Sequence, residues 1–66
     1  MYRLETAAGE LQIVLAAPAA GIWEAWLEDE FVGSYRSAAD AATDLARRMA
    51  GRAARVPPTI AGWPQT

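Results

Sequence analysis

The sequence contains no cysteine and no histidine, and its six basic residues are all arginine, so it also lacks lysine. Without cysteine there is neither a disulfide nor a reactive thiolate, and without histidine the usual base of a nucleophilic triad is missing. The commonest ligands of zinc are absent for the same reason. The absence of lysine excludes Schiff-base chemistry and a phosphate-binding P-loop. We therefore expect a protein that is not an enzyme and that binds no cofactor and no metal ion.

The chain is also short and lacks a long apolar run. A domain of 66 residues buries only about 60% of the surface of its unfolded chain, so its stability is marginal. Disulfides, metals or a partner chain usually stabilise such domains, and only the partner is left here. We therefore expect a protein partner, with a homodimer as one alternative and no small-molecule substrate.

The longest uncharged stretch runs from residue 11 to residue 23 and is interrupted by Gln12, Pro18 and Gly21. It is too short and too broken for a membrane span. The first residues carry an acid, Glu5, where the apolar core of a signal peptide would begin. These features predict a cytoplasmic protein without membrane contact.

Alternating apolar and polar residues predict an antiparallel β-meander of three to four strands, over about 2–6, 10–17, 22–28 and 31–36. Glu28, Asp29 and Glu30 form an acidic turn without glycine, which favours a loop longer than the two-residue primed type. These exposed acids lack the desolvation that carboxylate catalysis needs and the spaced ligands of a calcium loop.

A single α-helix is predicted over about 38–50. Ser37 is a suitable N-cap, Asp40 follows three residues later, and Gly51 lies at the position of a C-cap glycine. The predicted buried stripe contains Ala39, Ala42, Ala46 and Met49, with Leu45 beside it. The fold class is therefore α+β, with a meander packed on one helix in a domain over 1–51.

Residues 52–66 are predicted to form an extended C-terminal arm. Val56, Pro57 and Pro58 favour a polyproline conformation. Ile60 and Trp63 are large apolar residues that a merely disordered tail would seldom carry. We expect them to dock either on the sheet of their own domain or on a neighbouring molecule.

The segment from residue 21 to residue 49 carries a composite pattern. A tryptophan strand leads through an acidic turn to a strand of the form valine-glycine-x-aromatic-x-serine, and the serine caps an alanine-rich helix. The matching residues are Trp23, Val32, Gly33, Tyr35, Ser37 and Ala41. This pattern resembles a hairpin-plus-helix module of small uncharacterised bacterial and prophage proteins, a family of unknown function. The resemblance covers somewhat under half of the chain and implies a fold but no functional residue.

Charge is distributed unevenly along the chain. All eight acids lie within residues 1–46, whereas residues 47–66 contain no acid and four arginines, Arg47, Arg48, Arg52 and Arg55. These arginines are predicted to form a basic edge at the helix C-terminus, where cations offset the helix dipole. Weak nucleic-acid binding through this edge is an alternative. It is disfavoured because the net charge is −2 and no aromatic residue stands among the arginines.

The third and fourth predicted strands are apolar on both faces. One set comprises Trp23, Ala25, Leu27 and Val32, and the other comprises Ile22, Trp26, Phe31 and Tyr35. One helix covers only one face of a sheet, so the second set stays open unless the tail covers it, and exposed apolar patches mark interaction sites. The candidate protein-binding residues are Trp26, Phe31, Tyr35, Glu28, Asp29, Glu30 and Trp63.

Two functions fit these features. The first is a non-catalytic protein-interaction module. The alternative is a phage or mobile-element inhibitor that occludes a bacterial defence complex or presents acids in place of nucleic-acid phosphates. The acids concerned would be Glu24, Glu28, Asp29, Glu30, Asp40 and Asp44. They are few and mixed with apolar residues, so the interaction module is the preferred interpretation.

Overall fold

The computed structural model describes residues 1–52 and 55–65; residues 53, 54 and 66 of the predicted arm lie outside this range. Four strands are followed by one helix: β1 (Tyr2–Thr6), β2 (Gly9–Ala17), β3 (Ile22–Leu27), β4 (Glu30–Tyr35) and α1 (Ala38–Met49). The strands form one antiparallel sheet in the order β1-β2-β3-β4. This confirms the predicted α+β meander packed on one helix.

Alternation along the strands divides the sheet into two faces. Leu11 and Ile13 of β2 are fully buried, as is Ala25 of β3, and all three face α1. We call this face the helix side. The residues between them, including Gln12 and Trp26, point to the opposite face, which we call the open face.

The core lies between the helix side and α1. Among the described residues, its buried members are Leu11, Ile13, Ala25, Leu27, Ala38, Ala41, Ala42, Leu45, Met49 and Trp63. The alanines of α1 carry only a methyl group, which allows the helix backbone to approach the sheet closely. Ala39, predicted in the buried stripe, is exposed instead, because the stripe begins one residue earlier, at Ala38.

Both bounds of α1 agree with the prediction to within one residue, but the conformation at its C-terminus differs. The Ser37 side chain accepts a hydrogen bond of 3.0 Å from the Asp40 backbone N–H, as an N-cap does. At the other end the helix tightens into a 3₁₀ turn over Ala50–Arg52, which includes Gly51. Only Gly9 and Gly21 among the glycines have positive φ, so Gly51 is not the left-handed cap that was predicted.

The connection between β3 and β4 is shorter than predicted. Leu27 pairs with Glu30, so only Glu28 and Asp29 form the turn. Glu28 takes the positive φ of 54° that such a tight connection needs, without a glycine. Its backbone N–H donates to the Glu10 carbonyl at 2.8 Å, and its carboxylate accepts from the Glu10 N–H, so contacts with β2 hold this conformation.

The C-terminal segment docks on its own domain. The Arg3 N–H donates to the Pro64 carbonyl at 3.2 Å, and Tyr2 forms a β-bridge with Gln65. Trp63 is 5% exposed and belongs to the core, and its indole N–H donates to the Pro57 carbonyl at 3.1 Å. This resolves the alternative left open by the sequence. The described part of the tail, residues 55–65, covers part of the helix side and the outer edge of β1, and not the open face.

Two further details fix the tail. The Thr43 hydroxyl of α1 donates to the Pro58 carbonyl at 3.0 Å. Gly62 lies so close to Pro57 that an added Cβ would meet the Pro57 Cβ at 2.8 Å.

Among the described residues no helix is long and apolar enough to cross a membrane.

Candidate protein-binding surface

The open face carries an aromatic pair on neighbouring strands. Trp26 of β3 pairs with Phe31 of β4, and their rings meet edge to face with centroids 5.4 Å apart. Phe31 is 49% exposed, which makes it the most exposed large apolar side chain among the described residues. The Trp26 indole N–H donates to the Glu24 carboxylate at 3.2 Å, so the polar edge of the indole is already paired while its ring stays half-buried.

Polar side chains lie on the open face beside this aromatic pair. The Gln12 amide donates to the Glu10 carboxylate at 2.9 Å, and the Arg3 guanidinium lies 3.5 Å from the same carboxylate. Gln12 is the direct cross-strand neighbour of Trp26. The open face therefore has its aromatic side chains on β3 and β4 and a group of charged and amide side chains on β1 and β2.

A β-bulge explains how β4 contributes to both faces. Ala25 pairs with Gly33 and Trp26 pairs with Phe31, so Val32 is the extra residue on β4. Phe31 accordingly lies on the open face beside Trp26, whereas Val32 packs against the core. In a regular strand, Gly33 and Tyr35 would lie on the same face as Phe31. Because of the extra residue they lie on the opposite face, which is the helix side.

Tyr35 is not on the open face, contrary to the sequence prediction. It pairs with Trp23, packs against the core and donates its hydroxyl hydrogen bond to Asp44 of α1. Asp44 also binds Arg47 and accepts from the Arg48 side chain at 2.7 Å. The bulge at Val32 is the physical reason, because it moves Tyr35 to the helix side.

The pKa values of this cluster reflect its hydrogen bonds. Burial, followed by the hydrogen bond to Asp44, raises the pKa of the Tyr35 hydroxyl above its ordinary value. The hydrogen bonds from Tyr35, Arg48 and Arg47 hold the pKa of Asp44 well below its ordinary value. The cluster thus keeps a charged carboxylate between a phenol and two arginines, and it ties α1 to the end of β4.

The three acids of the predicted binding turn do different things. The Glu28 carboxylate lies back over Gly9 and binds the Glu10 backbone N–H, so it is part of the fold. Asp29 is exposed at the turn, and Glu30 lines a groove next to α1. The described residues contain no group of three or more acids that could hold a metal ion.

Trp63, predicted as a binding residue, is instead a core residue. Its ring is buried on the helix side, and its N–H is satisfied by the Pro57 carbonyl. The predicted binding residues therefore separate. Trp26 and Phe31 remain together on the open face, whereas Tyr35, Glu28 and Trp63 are engaged in intramolecular contacts.

The predicted basic edge divides between two sides of α1. Arg47 and Arg48 bind Asp44. Arg48 and Arg52 line the groove beside β4, while Arg55 lines a second groove, between α1, β1 and the tail. The four arginines therefore do not form one continuous stripe, and two of them are partly neutralised by the same carboxylate.

Sequence reasoning missed the groove between β4 and α1, which we call the β4–α1 groove. It has a volume of about 350 Å³. Its lining comprises Leu27, Glu30, Phe31, Val32, Leu45, Arg48, Met49 and Arg52. Leu45 and Met49 are spaced as core residues of a helix, and only the position of α1 relative to β4 shows that a gap lies beside them. Phe31 borders both this groove and the open face, so the two form one continuous surface.

Comparison with family models, with curated proteins and with solved structures gave no match.

Proposed function

We propose that this domain is a non-catalytic protein-interaction module that binds a protein partner through the open face, centred on Trp26 and Phe31. The observation that carries the proposal is the unequal treatment of the two faces of the sheet. The middle of the helix side is covered by α1 and by Trp63, whereas the open face presents an aromatic pair whose outer member, Phe31, is half exposed.

The chemistry of this face suits a protein better than a small molecule. Aromatic side chains provide a large share of the binding energy at protein interfaces, especially where less apolar neighbours surround them. The indole N–H of Trp26 is already paired with Glu24, so covering the ring leaves no unpaired donor behind. A flat sheet face offers no enclosure for a small ligand, which usually binds in a concave site.

The test compares two exposed apolar side chains on the same sheet. Phe31 is 49% exposed on the open face, and Leu15 is 43% exposed on β2, in line with the helix-side residues Leu11 and Ile13. Phe31→Ser and Leu15→Ser remove comparable apolar area and cost little folding stability. The wild-type protein and both variants are immobilised and exposed to a lysate of cells that encode the chain. Proteins retained differentially are then purified and titrated against each variant.

We expect at least one protein to bind the wild type and Leu15→Ser alike and to bind Phe31→Ser at least tenfold more weakly. Trp26→Ala is a second variant. Its loss of binding free energy should exceed its loss of unfolding free energy. The proposal would be falsified if every retained protein bound Phe31→Ser as tightly as the wild type. The proposal also fails if the wild type and Phe31→Ser retain the same set of proteins.

A further inference from the structure

The two edges of the sheet differ in a way that points to a second part of the binding surface. At the outer edge of β1, the Pro64 carbonyl accepts from Arg3 and Gln65 bridges Tyr2. The outer edge of β4 is paired with no segment of the described chain. An unpaired edge strand presents backbone donors and acceptors that can pair with another chain.

The contact at β1 shows what this fold accepts at an edge. The backbone pairing there is short, since it consists of one bridge and one further hydrogen bond. The stronger element is Trp63, which enters the core on the helix side next to the paired residues. At this edge, a brief backbone pairing is thus combined with an inserted large side chain and with the packing of Val56 and Ile60 against the core.

The β4–α1 groove is the corresponding gap at the opposite edge. Its floor is formed by Leu27 and Leu45, which belong to the core, with Val32 and Met49 beside them. Its volume of about 350 Å³ lies at the lower end of the range for ligand pockets and is enough for one large apolar side chain. The bulge at Val32 interrupts any long ladder along β4, so side-chain insertion supplies most of the contact here as well.

Three charged side chains line the groove: Glu30 of β4, and Arg48 and Arg52 at the end of α1 and just beyond it. Arg48 is already bound to Asp44. Arg52 makes no ion pair with any residue in the described part of the chain. Residues i and i+2 of an extended segment point to the same side, so a segment with one side chain in the groove presents a second side chain to the same groove lining, to which Arg52 belongs.

We propose that the β4–α1 groove receives an extended segment of a protein partner, which pairs briefly with the outer edge of β4. The segment inserts one large apolar side chain between β4 and α1 and presents a side-chain carboxylate to Arg52. This inference rests on the proposed protein-binding function and adds to it the site and the charge of the partner segment. The groove adjoins Phe31, so a partner on the open face reaches it without a break.

The test uses an acetylated and amidated pentapeptide, threonine-tryptophan-threonine-glutamate-threonine, in which the indole and the carboxylate lie on the same side. Two matched peptides carry glutamine or lysine in place of the glutamate. Each is titrated to about 5 mM into the isotope-labelled 66-residue protein, a range that detects millimolar affinity by NMR. We expect saturable shifts confined to β4, the second half of α1 and Arg52, with contacts from the indole to the Met49 methyl group. The glutamine peptide should bind roughly two- to fivefold more weakly, as for an exposed ion pair.

Charge reversal at two arginines provides the control. Arg52→Glu should reverse the ranking of the glutamate and lysine peptides. Arg55→Glu, which makes the same change in net charge beside the other groove, should leave the ranking unchanged. The inference is overturned if the ranking in Arg52→Glu equals that of the wild type, if the shifts map to β1, or if no saturable shift occurs. A partner that is lost with Phe31→Ser and retained with Arg52→Glu would refute this inference and leave the proposed function intact.

Discussion

Removal of the Trp63 side chain tests whether the C-terminal segment is part of the core. Trp63 is 5% exposed, and its N–H is bonded to the Pro57 carbonyl. Replacing a buried tryptophan by alanine costs about 3–5 kcal/mol. A chain of 66 residues is expected to have a free energy of unfolding of roughly 3–10 kcal/mol in total. Trp63→Ala should therefore lose a large fraction of the stability, with a fall in Tm of at least about 12 °C.

The assay is urea unfolding followed by far-ultraviolet circular dichroism, which does not depend on the tryptophan that has been removed. Trp26→Ala is the matched control, since the same side chain is removed from a half-buried position on the open face. Its loss of unfolding free energy should be smaller than that of Trp63→Ala, because large-to-small costs increase with the buried volume that is removed. A Trp63→Ala protein within about 1 kcal/mol of the wild type would show that the tail is not an integral part of the core.

Two further predictions concern the cluster that joins β4 to α1. The pKa of Asp44 is lower in the folded protein than in the unfolded chain. The stabilisation of the fold by the Asp44 carboxylate is therefore fully present above about pH 4, near the pKa of the unfolded chain. It is lost as the pH falls through the lower pKa of the folded protein. Asp44→Asn should thus cost about 1–2 kcal/mol of unfolding free energy at pH 7, and the difference from wild type should shrink below pH 4 in acid-titrated melts. A constant difference from pH 7 to pH 2 would contradict this. Gly33→Ala should displace the Tyr35 hydroxyl, which an added Cβ would meet at 3.1 Å. The cost, about 1 kcal/mol, should be smaller in a Tyr35→Phe background, and an additive double-mutant cycle would rule out this coupling.

Local sequence patterns were sufficient to predict the strands and the helix of this fold. Period-two alternation located the four strands, and the serine at position 37 located the first turn of α1, because both signals depend on neighbouring residues only. The prediction of a C-cap at Gly51 was wrong, because a glycine can continue into a 3₁₀ turn as readily as it can cap a helix. The prediction of a longer loop at Glu28 was wrong. Contacts with Glu10, eighteen positions away in sequence, hold the positive φ of Glu28 in the two-residue turn.

The candidate site was predicted only in part, and the bulge in β4 accounts for much of the difference. Strict alternation places Phe31 and Tyr35 on the same face. The extra residue, Val32, shifts the alternation by one, so Phe31 stays on the open face and Tyr35 turns to α1. The local signal is Gly33, directly after Val32, because an isolated glycine inside a strand often accompanies a bulge, and strict alternation does not take it into account. The burial of Trp63 depends on contacts with β1 at the other end of the chain, which no sequence window contains.

The distribution of acids bears on the alternative of phosphate mimicry. Glu24 is bonded to Trp26 on the open face, Glu28 closes the start of β2, and Asp44 is paired with two arginines and Tyr35. A surface that imitates nucleic-acid phosphates needs several unpaired charges side by side. Three of the six candidate acids are thus occupied by partners of their own, and of the other three, Asp29 and Glu30 lie at the β3–β4 turn and Asp40 lies in the first turn of α1. This distribution favours a contact based on the aromatic pair.

The size of the open face limits what can bind to it. Strands about 4.8 Å apart with residues about 3.3 Å apart give a footprint of roughly 400 Å² for four strands of about six residues. A stable complex usually buries about 800 Å² of accessible surface on each partner, so a partner has to cover nearly all of this face or extend beyond it. A partner that also reaches around Phe31 into the β4–α1 groove adds contact area and an ion pair at Arg52. We therefore expect one partner to bind the open face and the β4–α1 groove at the same time. It would contact β4 on the open face and on the helix side.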